Sequence, residues 1–172
     1  MTTDGRQAGY SLLELLACLA IVGLLFSLGS GMSELLSRER RFQAVLDLRR
    51  SLNYARSSAV FMQTQVTLCA LDQWGECARN WYGRDYAVFV DKNRDHRLNE
   101  GEALRIGHWS ADRGTLTWRA ALRRRYITFK SGGDTAQNGS FYFCPQGSDK
   151  ATRIVVNRAG RNYVETAHRR VC

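Results

Sequence analysis

Two successive hydrophobic patterns occupy the first third of the chain. From Leu15 to Ser33 no side chain is charged, and this run of 19 residues is close to the roughly 20 that a helix needs to span a bilayer. Beyond it, apolar residues recur every three or four positions, which is typical of an amphipathic helix packed on a globular domain. They are Phe42, Val45, Leu48, Leu52, Ala55 and Ala59. The pattern predicts a long helix, membrane-spanning in its first half and amphipathic in its second.

After about Gln65 the helical period gives way to short β-like runs separated by Gly, Asn and Asp. Such runs with turn residues between them are typical of an antiparallel sheet. The predicted strands are Val66–Leu71, Tyr86–Val90, Ala103–Trp109, Thr115–Trp118, Tyr126–Phe129, Ser140–Phe143, Arg153–Asn157 and Tyr163–Glu165. The fold class predicted is therefore α+β, with the N-terminal helix packed on an antiparallel β-sheet head.

The residues before the apolar run do not form an ordinary secretory signal. Such a signal ends in a small-residue cleavage site that follows its apolar core, whereas Gly9 precedes the core here. Cleavage after Gly9 would keep the whole run in the mature protein. Glu14 lies at the edge of the run, where a carboxylate facing hydrocarbon is costly and usually paired.

The segment Gly9–Leu16, read Gly-Tyr-Ser-Leu-Leu-Glu-Leu-Leu, resembles the class III signal of type IV pilins and type II secretion pseudopilins. The resemblance implies that a prepilin peptidase cuts after Gly9, that the new N-terminal residue Tyr10 is methylated, and that Glu14 guides assembly. Tyr10 replaces the usual phenylalanine and keeps the aromatic ring. The freed amine of Tyr10 on a neighbouring subunit is a natural partner for the Glu14 carboxylate.

The head also carries motifs in an order that resembles minor pilins of the GspH/FimT type. These motifs are Cys69 and Cys77, Trp81-Tyr82-Gly83, the segment 88–95, Gly101-Glu102 and the segment 157–161. The resemblance covers nearly the whole chain. It implies a minor subunit that is assembled at the inner membrane.

Four segments are expected from pattern and resemblance together. Residues 1–9 form the prepilin leader, and residues 10–33 form the transmembrane and assembly helix. Residues 34–64 form the amphipathic helix of the head, and residues 65–172 form the β-rich periplasmic head. The protein is expected to be single-pass in the inner membrane, and then part of a pilus fibre or its tip.

The resemblance implies three kinds of partner: other pilins and minor pilins bound through the N-terminal helix, prepilin peptidase, and the inner-membrane assembly machinery. The function expected is that of a minor pilin that supports type IV pilus biogenesis. The alternative is a minor pseudopilin of a type II secretion system with no role in DNA binding. No cofactor is expected.

Five cysteines are present, and Cys18 lies within the apolar run. The other four would face an oxidising periplasm, where disulfides persist. Four cysteines allow three pairings, and we favour Cys69–Cys77, which closes a short loop, with Cys144–Cys172, which ties down the last residue. Zinc is the rival hypothesis, but no CxxC spacing supports it.

The segment 91–102 resembles an EF-hand loop. Ligand positions 1, 3, 5, 9 and 12 of such a loop fall on Asp91, Asn93, Asp95, Asn99 and Glu102. Against calcium, His96 occupies the position of the turn glycine, and the flanking segments read as strands rather than helices. A polar hairpin loop with Asx turns is the favoured interpretation, and calcium is the alternative.

No catalytic motif is found. The chain lacks GxSxG, HExxH and a phosphate-binding glycine loop, and its three histidines are scattered through the head. The sequence therefore predicts a protein that is not an enzyme.

The net charge of +9 lies entirely in the last 70 residues, where 13 basic side chains face 4 acidic ones. Arginine forks hold phosphates and aromatic rings stack bases, so DNA is a candidate partner, with a role in natural transformation. Some FimT-type pilins bind DNA through a C-terminal Gly-Arg-x-Arg motif, and Gly160-Arg161-Asn162-Tyr163 matches it except at the second arginine. The candidate DNA-binding residues are Arg123, Arg124, Arg125, Arg158, Arg161, Arg169 and Arg170. The alternative is that these arginines are simply a solvated surface.

Overall fold

The structure, a computed structural model, describes residues 11–110, 114–145 and 150–168. The chain divides into two compact units, and the boundary between them lies between Arg40 and Arg41. The first unit holds the beginning of the helix, and the second holds the rest of the helix and all the described strands.

One α-helix, α1, runs from Leu12 to Phe61. The side of α1 that packs in the second unit carries small and branched apolar residues, which the helical period brings to one face. The buried ones are Ala44, Leu48, Leu52, Ala55 and Ala59. Within the described residues, no helix is both long and apolar enough to qualify as a membrane span.

The first sheet is antiparallel and is built around β1 (Val66–Leu71). On one side β1 pairs with β3 (Arg84–Val90), which pairs in turn with β4 (Ala103–Trp109). On its other side β1 pairs with β2 (Cys77–Ala78) and with β6 (Ile127–Phe129).

The second sheet is a four-stranded antiparallel sheet in the order β5-β7-β8-β9. Its strands are β5 (Thr115–Ala120), β7 (Gly139–Cys144), β8 (Lys150–Val156) and β9 (Asn162–His168). A 3₁₀ turn, Ala121–Arg123, follows β5 and leads towards β6. The chain thus passes from the first sheet to the second, returns through β6, and completes the second sheet.

Both sheets and α1 share one hydrophobic core. Because side chains alternate along a strand, one face of β1 and β3 turns Leu68 and Val88 towards this core, with Phe141 and Ile154 from the second sheet. The opposite face of the first sheet is covered by a smaller cluster: Cys69, Cys77, Ala87, Phe89 and Tyr126. The central strands β1 and β3 are therefore buried on both faces along most of their length.

The predicted α+β class is confirmed, and each of the eight predicted strands overlaps an observed one. Strand β2 was not predicted, and the single predicted sheet is in fact two. The assignment of Phe42 to the buried stripe of α1 is wrong, because its side chain is 59% exposed while Ala44 is fully buried. Phe42 lies two residues before Ala44, about 200° round the helix, and so points away from the buried stripe.

Candidate functional site

The N-terminal signal lies only partly within the described residues. Gly9 and Tyr10 lie outside them, and Glu14 lies in the first turn of α1 with an exposed side chain. The carbonyl of Ser11 accepts the backbone N–H groups of Glu14 and Leu15. A carboxylate in this turn is favoured by the partial positive charge at a helix N-terminus.

The Gly-Arg segment forms a tight turn between β8 and β9. The backbone N–H of Arg161 donates to Oδ1 of Asn157 over 3.0 Å, and the N–H of Gly160 donates to the Asn157 carbonyl over 2.9 Å. Gly160 has a φ of +70°, and a Cβ there would collide with the carbonyl oxygen of Gly133. The turn therefore needs this glycine for its backbone, and it leaves Arg158 and Arg161 exposed.

Asn162 fastens this turn to the helix. Its Oδ1 accepts the Nε–H of Arg49 over 3.0 Å, and its Nδ2 donates to Asn53 over 2.7 Å. Tyr163, which occupies the place of the second arginine of the motif, is 46% exposed. Arg49 of the helix therefore lies beside the Gly-Arg turn. This contact could not be predicted from the sequence, because the two residues are 113 positions apart.

Arg123, Arg124 and Arg125 lie elsewhere. They are exposed on the 3₁₀ turn and the residues that follow it, and they line a cleft of about 570 Å³. The candidate DNA-binding residues thus fall into two places, the Gly-Arg turn and this cleft. Arg169 and Arg170 lie outside the described residues.

The loop between β3 and β4 makes hydrogen bonds to itself. Oδ1 of Asp95 accepts the backbone N–H of Arg97 over 2.8 Å, and its Oδ2 accepts the side-chain amides of Asn93 and Asn99. Removal from water raises the pKa of the Asp95 carboxyl. The bonds from Arg97, Asn99 and Asn93, with the charge of Arg97, outweigh this effect and hold the pKa below its ordinary value.

Glu102 and Asp91 close the same loop. The carboxylate of Glu102 accepts the backbone N–H groups of Lys92 and Asn99. The Asp91 side chain is buried, and its Oδ2 lies 2.9 Å from Nδ1 of His96 without the alignment of a hydrogen bond. Oδ1 of Asn93 accepts the backbone N–H of Asp95. Three of the five candidate calcium ligands, Asn93, Asp95 and Glu102, thus already accept hydrogen bonds from the loop. No group of three or more metal-binding side chains occurs among the described residues, and calcium binding stays a sequence-based hypothesis.

One of the two predicted disulfides is present in full. Cys69 and Cys77 are bonded, with 5.4 Å between their Cα atoms. Cys144 is also disulfide-bonded, but its predicted partner Cys172 lies outside the described residues. Cys18 is a free, exposed thiol.

A family model for GspH, described as a type II transport protein, matches residues 44–160. A second model, the prokaryotic N-terminal methylation motif, matches residues 4–30. The comparison with curated protein sequences gave no match.

Among solved structures, the chain is similar to the type IV minor pilin FimU of Pseudomonas aeruginosa in two crystal forms. One match has 22% identity and a TM-score of 0.52, over 72% of this chain and 90% of that one. The other has 23% identity and a TM-score of 0.55, over 74% and 90%. At this identity the likeness concerns the fold.

Proposed function

This chain belongs to the GspH family and carries a prokaryotic N-terminal methylation motif, so it is a pilin-like subunit, a minor pilin or a minor pseudopilin. Within this class, we propose that it is a minor pilin of a type IV pilus. One observation carries the proposal: the methylation motif leads directly into a helix with Glu14 in its first turn and an uncharged run behind it. The fold shared with the minor pilin FimU supports the pilus over the secretion system.

In this proposal the uncharged run anchors the subunit in the inner membrane with its head in the periplasm, and later packs against neighbouring pilins. The Cys69–Cys77 disulfide supports that location, because such bonds persist in oxidising compartments. The partners are other pilins, prepilin peptidase and the assembly machinery. One observation supports the alternative, a minor pseudopilin: the matching family is described as a type II transport protein.

Mass spectrometry of the mature protein tests the processing step. We expect a chain that starts at Tyr10 with an N-methyl group. A mature chain that starts at Met1, or after the apolar run, would contradict the proposal. To separate pilus from secretion system, the subunit is assayed in sheared surface fibres, where a pilus subunit is present and a pseudopilin of the secretion system is not.

We further propose that the head binds duplex DNA through its exposed arginines, in support of DNA uptake. The observation that favours this is the Gly-Arg turn, which presents Arg158 and Arg161 to solvent beside Arg49. Glutamate and aspartate are sparse beyond residue 102, so the field there favours a polyanion. Arg169 and Arg170 are included among the proposed DNA-binding residues because they belong to the basic segment beyond residue 102.

A salt titration tests this second proposal. For the full chain in a non-ionic detergent, log affinity for a short duplex should fall with log salt by about 0.9 per phosphate contacted. Changing Arg158 and Arg161 together to Gln should flatten that slope by about 1.8. The matched control changes Arg50 and Arg105, two exposed arginines that are not part of the Gly-Arg turn, to Gln. An equal loss of duplex affinity in both variants would show that only the total charge of the protein matters, and it would contradict the proposal.

A further inference from the structure

The cleft beside Arg123–Arg125, which we call the arginine cleft, is lined by three segments that are distant in sequence. One wall is the turn that follows β5, and the other is formed by the loop before β4 together with Glu76 and Cys77. Its volume of about 570 Å³ is within the range of sites that hold small ligands. Its charged and titratable lining residues are Glu76, Asp95, His96, Arg97, Arg123, Arg124 and Arg125.

The turn that carries the arginines has an unusual backbone. Leu122 and Arg123, both non-glycine, have φ values of +59° and +51°, a left-handed conformation that costs free energy in L-residues. Burial does not offset this cost, because Leu122 is 86% exposed and Arg123 is also exposed. Strained conformations of this kind concentrate at ligand-binding sites.

The opposite wall is held in place by several contacts. The ring of His96 stacks on Tyr126 with 3.7 Å between centroids, and Asp91 lies behind it. Arg97 pairs with Glu76 over 2.6 Å. The Cys69–Cys77 disulfide fixes β2, which contributes Cys77 to the lining. The cleft is therefore preorganised rather than formed by flexible side chains alone.

The charge balance of the cleft favours an anion. Glu76 is paired with Arg97, and the Asp95 oxygens accept hydrogen bonds from its own loop. Among the residues that the structure describes, no carboxylate pairs with Arg123 or Arg125. Two guanidinium forks thus stay available for a phosphate, whose geometry they match.

We infer that the arginine cleft binds the phosphates of a single nucleic-acid strand. A duplex is a wide rod that reaches projecting turns such as Arg158–Arg161, whereas a nucleotide of a single strand fits into a concave site of this volume. Trp74, two residues before the lining residue Glu76, has a side chain that is 72% exposed, and the carbonyl of Gly75 accepts the backbone N–H of Leu98 in the loop before β4. Stacking of a base on Trp74 would add sequence-tolerant affinity.

This inference deepens the nucleic-acid part of the proposed function by assigning a second surface and a different form of nucleic acid. It is tested on the full chain in a non-ionic detergent, with fluorescein-labelled dT12 and a 12-base-pair duplex titrated separately. Three double variants are compared, each of which removes two positive charges: R123Q/R125Q in the cleft, R158Q/R161Q on the Gly-Arg turn, and the control R50Q/R105Q. Thermal unfolding of each variant checks that it is folded.

We expect R123Q/R125Q to weaken dT12 binding by about tenfold or more and to flatten its salt slope by about 1.4. The same variant should change duplex affinity no more than the control does. R123K/R125K should recover part of the dT12 affinity because it restores the charge without the fork. Binding of dT12 should also quench the tryptophan fluorescence, and W74L should abolish the quenching, because the other three tryptophans are buried.

Several outcomes would overturn the inference. One is unchanged dT12 affinity in folded R123Q/R125Q, and another is a loss matched by the control. A third is binding of pyrophosphate by a protein that does not bind dT12, which would identify a site for free phosphate. Strong dT12 binding lost only in the cleft variant, without any duplex binding, would support the cleft and contradict the proposed duplex surface.

Discussion

The hydroxyl oxygens of Ser51 and Tyr86 lie 3.2 Å apart, and their hydrogen bond joins α1 to β3 inside the core. Both residues are buried. The Ser51 hydroxyl, which has a single proton, also lies 3.0 Å from the carbonyl oxygen of Asp47, one helical turn earlier. Among the described residues, the Tyr86 hydroxyl has one hydrogen-bond partner, Ser51, whereas Ser51 has two. Loss of the bond therefore leaves Tyr86 without a partner but not Ser51.

We expect Ser51→Ala to cost about 1–3 kcal/mol of unfolding free energy by leaving the Tyr86 hydroxyl buried without a partner, less about 0.5 kcal/mol gained in helix propensity. Tyr86→Phe should cost about 1 kcal/mol, because Ser51 keeps its bond to Asp47. The double variant should be more stable than Ser51→Ala alone, since the orphaned hydroxyl is gone. Urea unfolding of the three variants measures this, and strictly additive losses would contradict it.

Gly160 offers a test of the turn that carries Arg158 and Arg161. We expect Gly160→Ala to destabilise the protein by about 3 kcal/mol or more, since a left-handed backbone costs about 1–2 kcal/mol and the new Cβ would meet the Gly133 carbonyl. The matched control is Gly101→Ala. Gly101 also has a positive φ, but open space surrounds its Cβ position.

The control should therefore lose the backbone cost alone, about 1–2 kcal/mol. Thermal or urea unfolding compares the two variants. Equal losses at the two positions would mean that the turn can move away from Gly133.

Removal of the Cys69–Cys77 disulfide should destabilise the head. The bond joins residues eight apart in sequence, and closing a loop of that size is worth about 2–3 kcal/mol in the chain-entropy model. We expect C69A/C77A to lose about that much in urea unfolding. Cys18→Ala, which removes a free and exposed thiol, should leave stability unchanged, and a loss there as large as in the double variant would show that another effect dominates.

Glu14→Ala tests the assembly role that the resemblance to type IV pilins implies for this residue. Removal of the charge should favour membrane insertion by about 2–3 kcal/mol on insertion scales, so membrane levels of the subunit should not fall. Its amount in sheared pili should fall strongly, because the proposed pairing with the amine of a neighbouring Tyr10 would be lost. Glu100→Ala, which removes an exposed carboxylate from the head, is the control, and normal incorporation of Glu14→Ala would contradict the assigned role.

Much of the fold was predictable because it depends on local patterns. Alternation marked the strands, and the helical period marked α1, with Ala55 and Ala59 confirmed as buried. Strand β2 escaped prediction because Cys77–Ala78 is two residues long, too short for any period to show. The division into two sheets was not predictable from pattern either, because it depends on which strands pair over long separations, as Leu68 does with Ile127.

The candidate sites divide in the same way. The Gly-Arg turn and the run Arg123–Arg125 were recognisable because their residues are consecutive. Their surroundings were not recognisable, since Arg49 meets Asn162 across 113 positions and the wall that faces Arg123 comes from a loop of the other sheet. Local sequence patterns do not predict such long-range contacts, because these contacts arise from tertiary packing.

Strand β4 ends the first sheet with an outer edge that pairs with no further strand among the described residues. Open edges of this kind are templates for aggregation. A register irregularity at Val88/Phe89, where β3 pairs with β4, distorts the ladder, and the exposed Arg105 adds a charge that a second identical edge would have to face. The register irregularity and the charge therefore disfavour pairing of this edge with the same edge of a second copy.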